Sequence, residues 1–128
     1  MLPITSLYAA LCTLLLIILT TSVVARRRTL RIGLGAGSDV VLECRIRAHG
    51  NAVETVPIGL LLLLLLETGG LAGGWLHAFG ITLLLGRVLH AWGLSGRPGV
   101  SFGRLYGMLL TLLALLGMAA ALLVCVLL

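Results

Sequence analysis

Apolar residues dominate four stretches of the chain, roughly Ile4 to Ala25, Val40 to Leu66, Trp75 to Leu94 and Leu105 to Leu128, joined by short connections. Each stretch is long and apolar enough to be read as a helix crossing a hydrocarbon core about 30 Å thick. Short connections force consecutive spans to run antiparallel. The pattern therefore predicts an all-α integral membrane protein, a four-helix up-down bundle forming one domain over residues 1–128. The first stretch has no basic residues ahead of it and is followed directly by Arg26-Arg27-Arg28, the reverse of a secretory signal. It is expected to stay in place as a span.

The second stretch breaks the pattern. Polar residues run from Glu43 through Arg45, Arg47, His49 and Asn51 to Glu54, and an unbroken apolar run follows only after Thr55. The run from Val56 to Leu66 supplies about 16 Å of helix at ~1.5 Å per residue, roughly half of what a span needs. The helix crosses only if His49, Asn51 and Glu54 lie at membrane depth. Ionisable groups there are costly in lipid, face a bundle interior or wet cavity, and mark functional sites.

Composition agrees with a membrane protein: 60% of residues are hydrophobic, 10% are charged, and mean hydropathy is +1.21. The net charge of +5 comes from nine basic residues, all arginine. They cluster at the first connection (Arg26, Arg27, Arg28, Arg31, Arg45, Arg47) and around the third (Arg87, Arg97, Arg104), while Glu67 to Gly74 has none. By the positive-inside rule both arginine-bearing loops are expected in the cytoplasm and both termini outside. The arginines flank spans without an aromatic platform or folded basic domain, which argues against nucleic acid as a partner. Cys12, Cys44 and Cys125 have no paired spacing, so neither a disulfide framework nor a metal site is expected. Gly33, Gly35 and Gly37 make a flexible turn, and Gly103 with Gly107 forms a GxxxG that permits close helix approach.

Helical spacing gathers the polar residues. Glu43, Arg47, Asn51 and Glu54 follow one another at intervals of four, four and three, which puts them on one stripe. Arg87 and His90 share a face near the end of the third span, and Arg104, with Tyr106 close behind, opens the fourth at the same membrane side. These groups could satisfy one another, as Arg47 with Glu43 or Glu54 with Arg87. Arginines outnumber acids at this level, however, and the surplus of cationic donors calls for an anionic ligand.

The segment Arg47-Ala48-His49-Gly50-Asn51-Ala52-Val53-Glu54-Thr55-Val56-Pro57 resembles the second-helix signature of the MAPEG family, the membrane-associated proteins in eicosanoid and glutathione metabolism, and especially its short bacterial members. Gly86-Arg87-Val88-Leu89-His90-Ala91 is similar to that family's third-helix motif, and Arg104 to Thr111 to the start of its fourth helix. The resemblance implies a homotrimer binding glutathione as co-substrate between subunits near the cytoplasmic face, with no metal. It places the glutathione contacts on Asn51, Glu54 and His90, with Arg47 and an arginine after the first helix, Arg26 or Arg27. Arg104 is the implied thiolate-stabilising, catalytic residue, and His49, Arg87 and Tyr106 support the site. Leu94 stands where prostaglandin-synthase-like members carry tyrosine, and Gly50 where the motif has a basic residue, so eicosanoid synthesis is set aside.

Glutathione carries two carboxylates, an ammonium and a thiol, which match arginines, a glutamate and one further cation. The expected function is glutathione transfer to lipophilic small molecules that reach the site from membrane lipid, with peroxidase chemistry as a variant. A catalytically silent lipid-binding or scaffold protein of the same architecture is the alternative. A small multidrug transporter would need a glutamate in the first span, which has no charge between Met1 and Ala25. The abundance of Arg, Ala, Gly and Leu without lysine points to a GC-rich, bacterial source and hence to an inner membrane.

Overall fold

The computed structural model describes residues 2–96 and 98–127. Arg97 and the two terminal residues Met1 and Leu128, named among the basic residues and span limits above, lie outside the described residues. Four helices follow in order: α1 (Pro3–Leu30), α2 (Val40–Thr68), α3 (Gly73–Leu94) and α4 (Phe102–Leu127). Three of them, α1, α2 and α4, are long and apolar enough by composition to cross a membrane. The 22 residues of α3 also reach about 33 Å at ~1.5 Å per residue. Its glycines and the polar His77, Arg87 and His90 dilute its hydropathy, so the expectation that this stretch too is long and apolar enough to span is met in length only.

Two boundaries differ by three residues or more from the sequence expectation. The first helix continues past Ala25 to Leu30, so Arg26, Arg27 and Arg28 belong to its final turns, where cations favour the negative end of the helix dipole. Arg31 then takes the left-handed conformation and its N–H closes on the Arg27 and Arg28 carbonyls. The fourth helix begins at Phe102, three residues before Leu105, which brings Arg104 inside its first turn. Between α1 and α2, Gly35 and Gly37 both carry positive φ, and Asp39 caps α2 by accepting the Leu42 N–H at 2.6 Å.

The tightest pair is α3 with α4, whereas α1 packs on α2 and α3 and, among the described residues, does not touch α4. Small residues explain the pair. A methyl group at Gly107 would collide with the backbone nitrogen of His90, one at Gly93 with that of Arg104, and one at Gly103 would stand 2.7 Å from the Leu89 carbonyl. The GxxxG of α4 is therefore spent inside the subunit, holding α4 against α3 backbone to backbone.

Packing is uneven along the bundle. Toward the Glu67 end, Tyr8, Leu63, Leu66, Leu76, Leu83, Ala114 and Met118 form one continuous core. Glu67 pins that end by accepting the N–H groups of Ile4 (3.0 Å) and Thr5 (2.7 Å), so a carboxylate of α2 occupies the positive start of α1. Large apolar side chains such as Leu14, Ile18, Leu113 and Leu116 face outward, as expected for lipid-facing surfaces. At the arginine-bearing end α2, α3 and α4 part and leave a crevice.

If the α3–α4 approach requires bare glycine, Gly107→Ala should cost about 1–3 kcal/mol through overpacking. Thermal unfolding in detergent would register it, with Gly74→Ala, which adds its methyl to open space, as the unaffected control. Equal melting of both variants would contradict this packing.

Candidate functional site

The crevice has a volume of about 780 Å³. Helix α2 lines one wall with Glu43, Arg47, Asn51 and Glu54, the stripe predicted from spacing, together with Cys44 and Gly50. His90 and Leu94 of α3 form the back, and Arg104, Leu105 and Met108 of α4 the other wall. Arg47, Asn51, Glu54, His90 and Arg104, the predicted ligand contacts of three helices, thus meet around one volume.

Their states differ in ways that bear on chemistry. Glu43 neutralises Arg47 at 3.4 Å, but both side chains are largely exposed and a pair of that kind contributes little to stability. Glu54 is exposed on the crevice side and forms no ion pair among the described residues. His90 is 4% exposed and makes no side-chain hydrogen bond among the described residues, although it borders the open volume. Arg104 donates to the Pro98 carbonyl at 3.2 Å, while its backbone N–H is held by the Ser101 hydroxyl. The crevice lining thus holds the exposed Glu43–Arg47 pair, a second cation in Arg104, an unpaired carboxylate in Glu54, and the hydrogen-bonding side chains of Asn51 and His90.

Behind this wall lies Arg87, 1% exposed. The possible pairing with Glu54 is not formed. Its Nε donates to the Thr111 hydroxyl at 2.8 Å, Nη1 to Asn51 Oδ1 and to the Thr55 hydroxyl at 3.2 Å, and Nη2 reaches the Gly107 carbonyl at 3.5 Å. All four acceptors are neutral. Sequence reasoning missed Thr55 and Thr111 because threonine on a helix ordinarily bonds its own i−4 carbonyl and gives no distinct signal. Both do so here, to Asn51 and Gly107, and that leaves their lone pairs for the guanidinium.

Other predicted site residues lie elsewhere in the subunit. Arg26 grips Asp39 in a two-pronged ion pair (2.7 and 3.2 Å), and Arg27 donates to the Gly35 carbonyl at 2.8 Å, so both secure the first connection outside the crevice. His49 turns toward α1 and shares a hydrogen bond with the Thr20 hydroxyl at 3.0 Å. Tyr106 is half exposed and packs on Phe102, ring centres 4.3 Å apart, away from the crevice lining. Among the described residues no cluster of histidine, cysteine, aspartate or glutamate could hold a metal ion.

The family model of the MAPEG family matches residues 5–124, which cover α2 and α3 entirely, nearly all of α1 and α4, and the whole crevice. The chain belongs to the MAPEG family. It is also 40% identical over 94 residues to "Inner membrane protein YecN" of Escherichia coli strain K12, a match covering 73% of this chain and 72% of the relative. The same-named protein of an Escherichia coli O6:H1 strain matches equally well. As a MAPEG protein the chain is an integral membrane protein, and the polar stripe of α2 belongs to a helix long and apolar enough to cross the membrane.

In this MAPEG chain the Arg26–Asp39 clamp gives a measurable pH signature. The Asp39 carboxyl is held below the usual aspartate range, first by the guanidinium donating to it and then by the Leu42 N–H. A depressed native pKa means that the unfolded chain binds the proton more readily. The stabilisation is complete above the ordinary aspartate value of about 3.9 and is lost as pH falls through the lower native value. Melting temperature should therefore fall more steeply on acidification below about pH 4 in the wild type than in Asp39→Asn. Parallel profiles would show that the clamp contributes nothing to stability.

Proposed function

We propose that the crevice binds glutathione and that the protein transfers it to lipophilic electrophiles. The observation that carries this reading is the charge pattern of one volume: Arg104 as a cation, Arg47 as a second cation beside its exposed partner Glu43, Glu54 as an unpaired carboxylate, and Asn51 and His90 as hydrogen-bonding groups. Glutathione presents the complement, with Glu54 facing its ammonium and the arginines its carboxylates or thiolate. Membership of the MAPEG family supports the same ligand, since that family's name joins it to glutathione metabolism.

Arg104 is the residue proposed to act on sulfur. A thiol with a pKa of about 8.5 is mostly protonated at neutral pH, and lowering it by two units takes about 2.7 kcal/mol of preferential thiolate stabilisation. A guanidinium in a partly dry crevice supplies energy of that order. The thiolate attacks the electrophilic carbon, a C–S bond forms, and the leaving group departs with its electron pair. Leu94 lines the same crevice without bringing a hydroxyl, so no tyrosine shares this task there.

The rest of the proposal concerns assembly and placement. The open side of the crevice, where Glu54 is exposed, is closed by a second copy in a homotrimer, which brings that copy's first connection, with Arg26 and Arg27, within reach of the ligand. The membrane is a bacterial inner membrane, in line with the name of the Escherichia coli relative, and the arginine-bearing loops face the cytoplasm, where glutathione is abundant.

Glutathione titration of the detergent-solubilised protein tests the reading. Binding should be measurable below millimolar concentration and weaken at least tenfold in Glu54→Gln, about 1.4 kcal/mol, without loss of assembly. Arg104→Lys should retain most binding yet lose the ultraviolet absorbance of bound thiolate and at least tenfold in turnover. Binding without thiolate or turnover in the wild type would favour the silent scaffold, and no binding would overturn the proposal.

A further inference from the structure

We infer that Arg87 is the positioning residue of this crevice: it locks the Asn51 side chain so that its amide N–H groups, and never its oxygen, face the ligand. The inference rests on the glutathione reading and assigns polarity to one part of that site. Asn51 then takes a hydrogen-bond acceptor, a carboxylate or the thiolate of the bound tripeptide, and is unable to hold the ammonium.

The polarity follows from donor and acceptor accounting. An asparagine side chain has an accepting oxygen and a donating NH2, and rotation by half a turn exchanges them. Arginine has donors only. With Nη1 against Asn51, the flipped amide would set donor against donor inside a buried site, while the orientation present gives the guanidinium an acceptor. Arg87 has no freedom to move away and release the lock. Its Nε is held by Thr111 at 2.8 Å, and the Thr55 and Thr111 protons are already given to the Asn51 and Gly107 carbonyls at 2.8 Å, so both hydroxyls face Arg87 as acceptors. The glycine-lined approach of α4 to α3 is what brings Thr111 and the Gly107 carbonyl into range.

Charge acts in the same direction. Every partner of Arg87 among the described residues is neutral, so its positive charge stands behind Asn51 with no carboxylate within ion-pair distance. The side of the crevice lined by Asn51 and His90 is therefore electropositive through both its field and its donors. Glu54, one turn further along α2, is the acceptor end. The ligand's anionic and cationic groups are sorted along the helix, with Arg87 setting the polarity from outside the contact surface.

Asn51→Asp separates positioning from mere support. Aspartate keeps an acceptor for Arg87 and adds an ion pair, so folding and assembly persist, but it turns an oxygen instead of N–H toward the ligand. Glutathione affinity should fall at least tenfold while melting temperature is unchanged or raised. Arg87→Lys keeps the charge and loses the fork, and it should weaken affinity by a smaller factor that does not add to the Asn51→Asp loss in the double variant. Titration with S-methylglutathione assigns the accepting group: an equal Asn51→Asp loss means a carboxylate, and a loss seen only with the free thiol means the thiolate. Unchanged or tighter glutathione binding in Asn51→Asp, with the wild type binding normally, would overturn the inference and leave the glutathione reading standing. A wild type that does not bind glutathione would overturn both.

Discussion

A guanidinium held inside the bundle without a carboxylate is the interaction around which this molecule is arranged. Removing an arginine from water is costly and a membrane helix offers few compensations, so each guanidinium nitrogen must meet an acceptor. Four oxygens do this for Arg87, from Asn51 and Thr55 of α2 and from Thr111 and Gly107 of α4. Such convergence requires backbones in contact, which is why Gly86, Gly93, Gly103 and Gly107 occur where α3 and α4 cross. One buried cation thus dictates small residues on two helices and threonines on two.

The consequences run outward from there. Because α4 is drawn against α3, α2 is left to close the third side and does so fully only toward Glu67, where leucines fill the space. At the other end polar side chains replace the leucines, and the gap between helices stays open. The crevice opens where leucine packing gives way to polar side chains, with Arg87 buried behind its Asn51 wall. The proposed glutathione ligand fits a site that carries both signs of charge.

Much of this was legible before the fold was known. Four helices follow from the apolar runs, and the four-four-three spacing from Glu43 to Glu54 placed those residues on one face, where the crevice has them. Arg26 and Arg27 were less legible: an arginine after a span reads alike whether it binds a ligand, caps a helix or grips a loop, and here they hold Asp39 and the Gly35 carbonyl. The suggested Glu54–Arg87 pair matched in charge but not in direction, since Glu54 faces the opening and Arg87 the interior. The GxxxG of α4 announced close contact without naming its partner, because small residues carry no directional signal.

Hydrogen–deuterium exchange of the detergent-solubilised protein, with and without saturating glutathione, tests most directly whether the Arg87-centred crevice is the ligand site. The account predicts slowed exchange confined to the first half of α2, the end of α3 and the first turns of α4, with the Glu67 end and the start of α3 unaffected. Slowing around Glu67 and His77 instead, or none at ligand saturation, would contradict it.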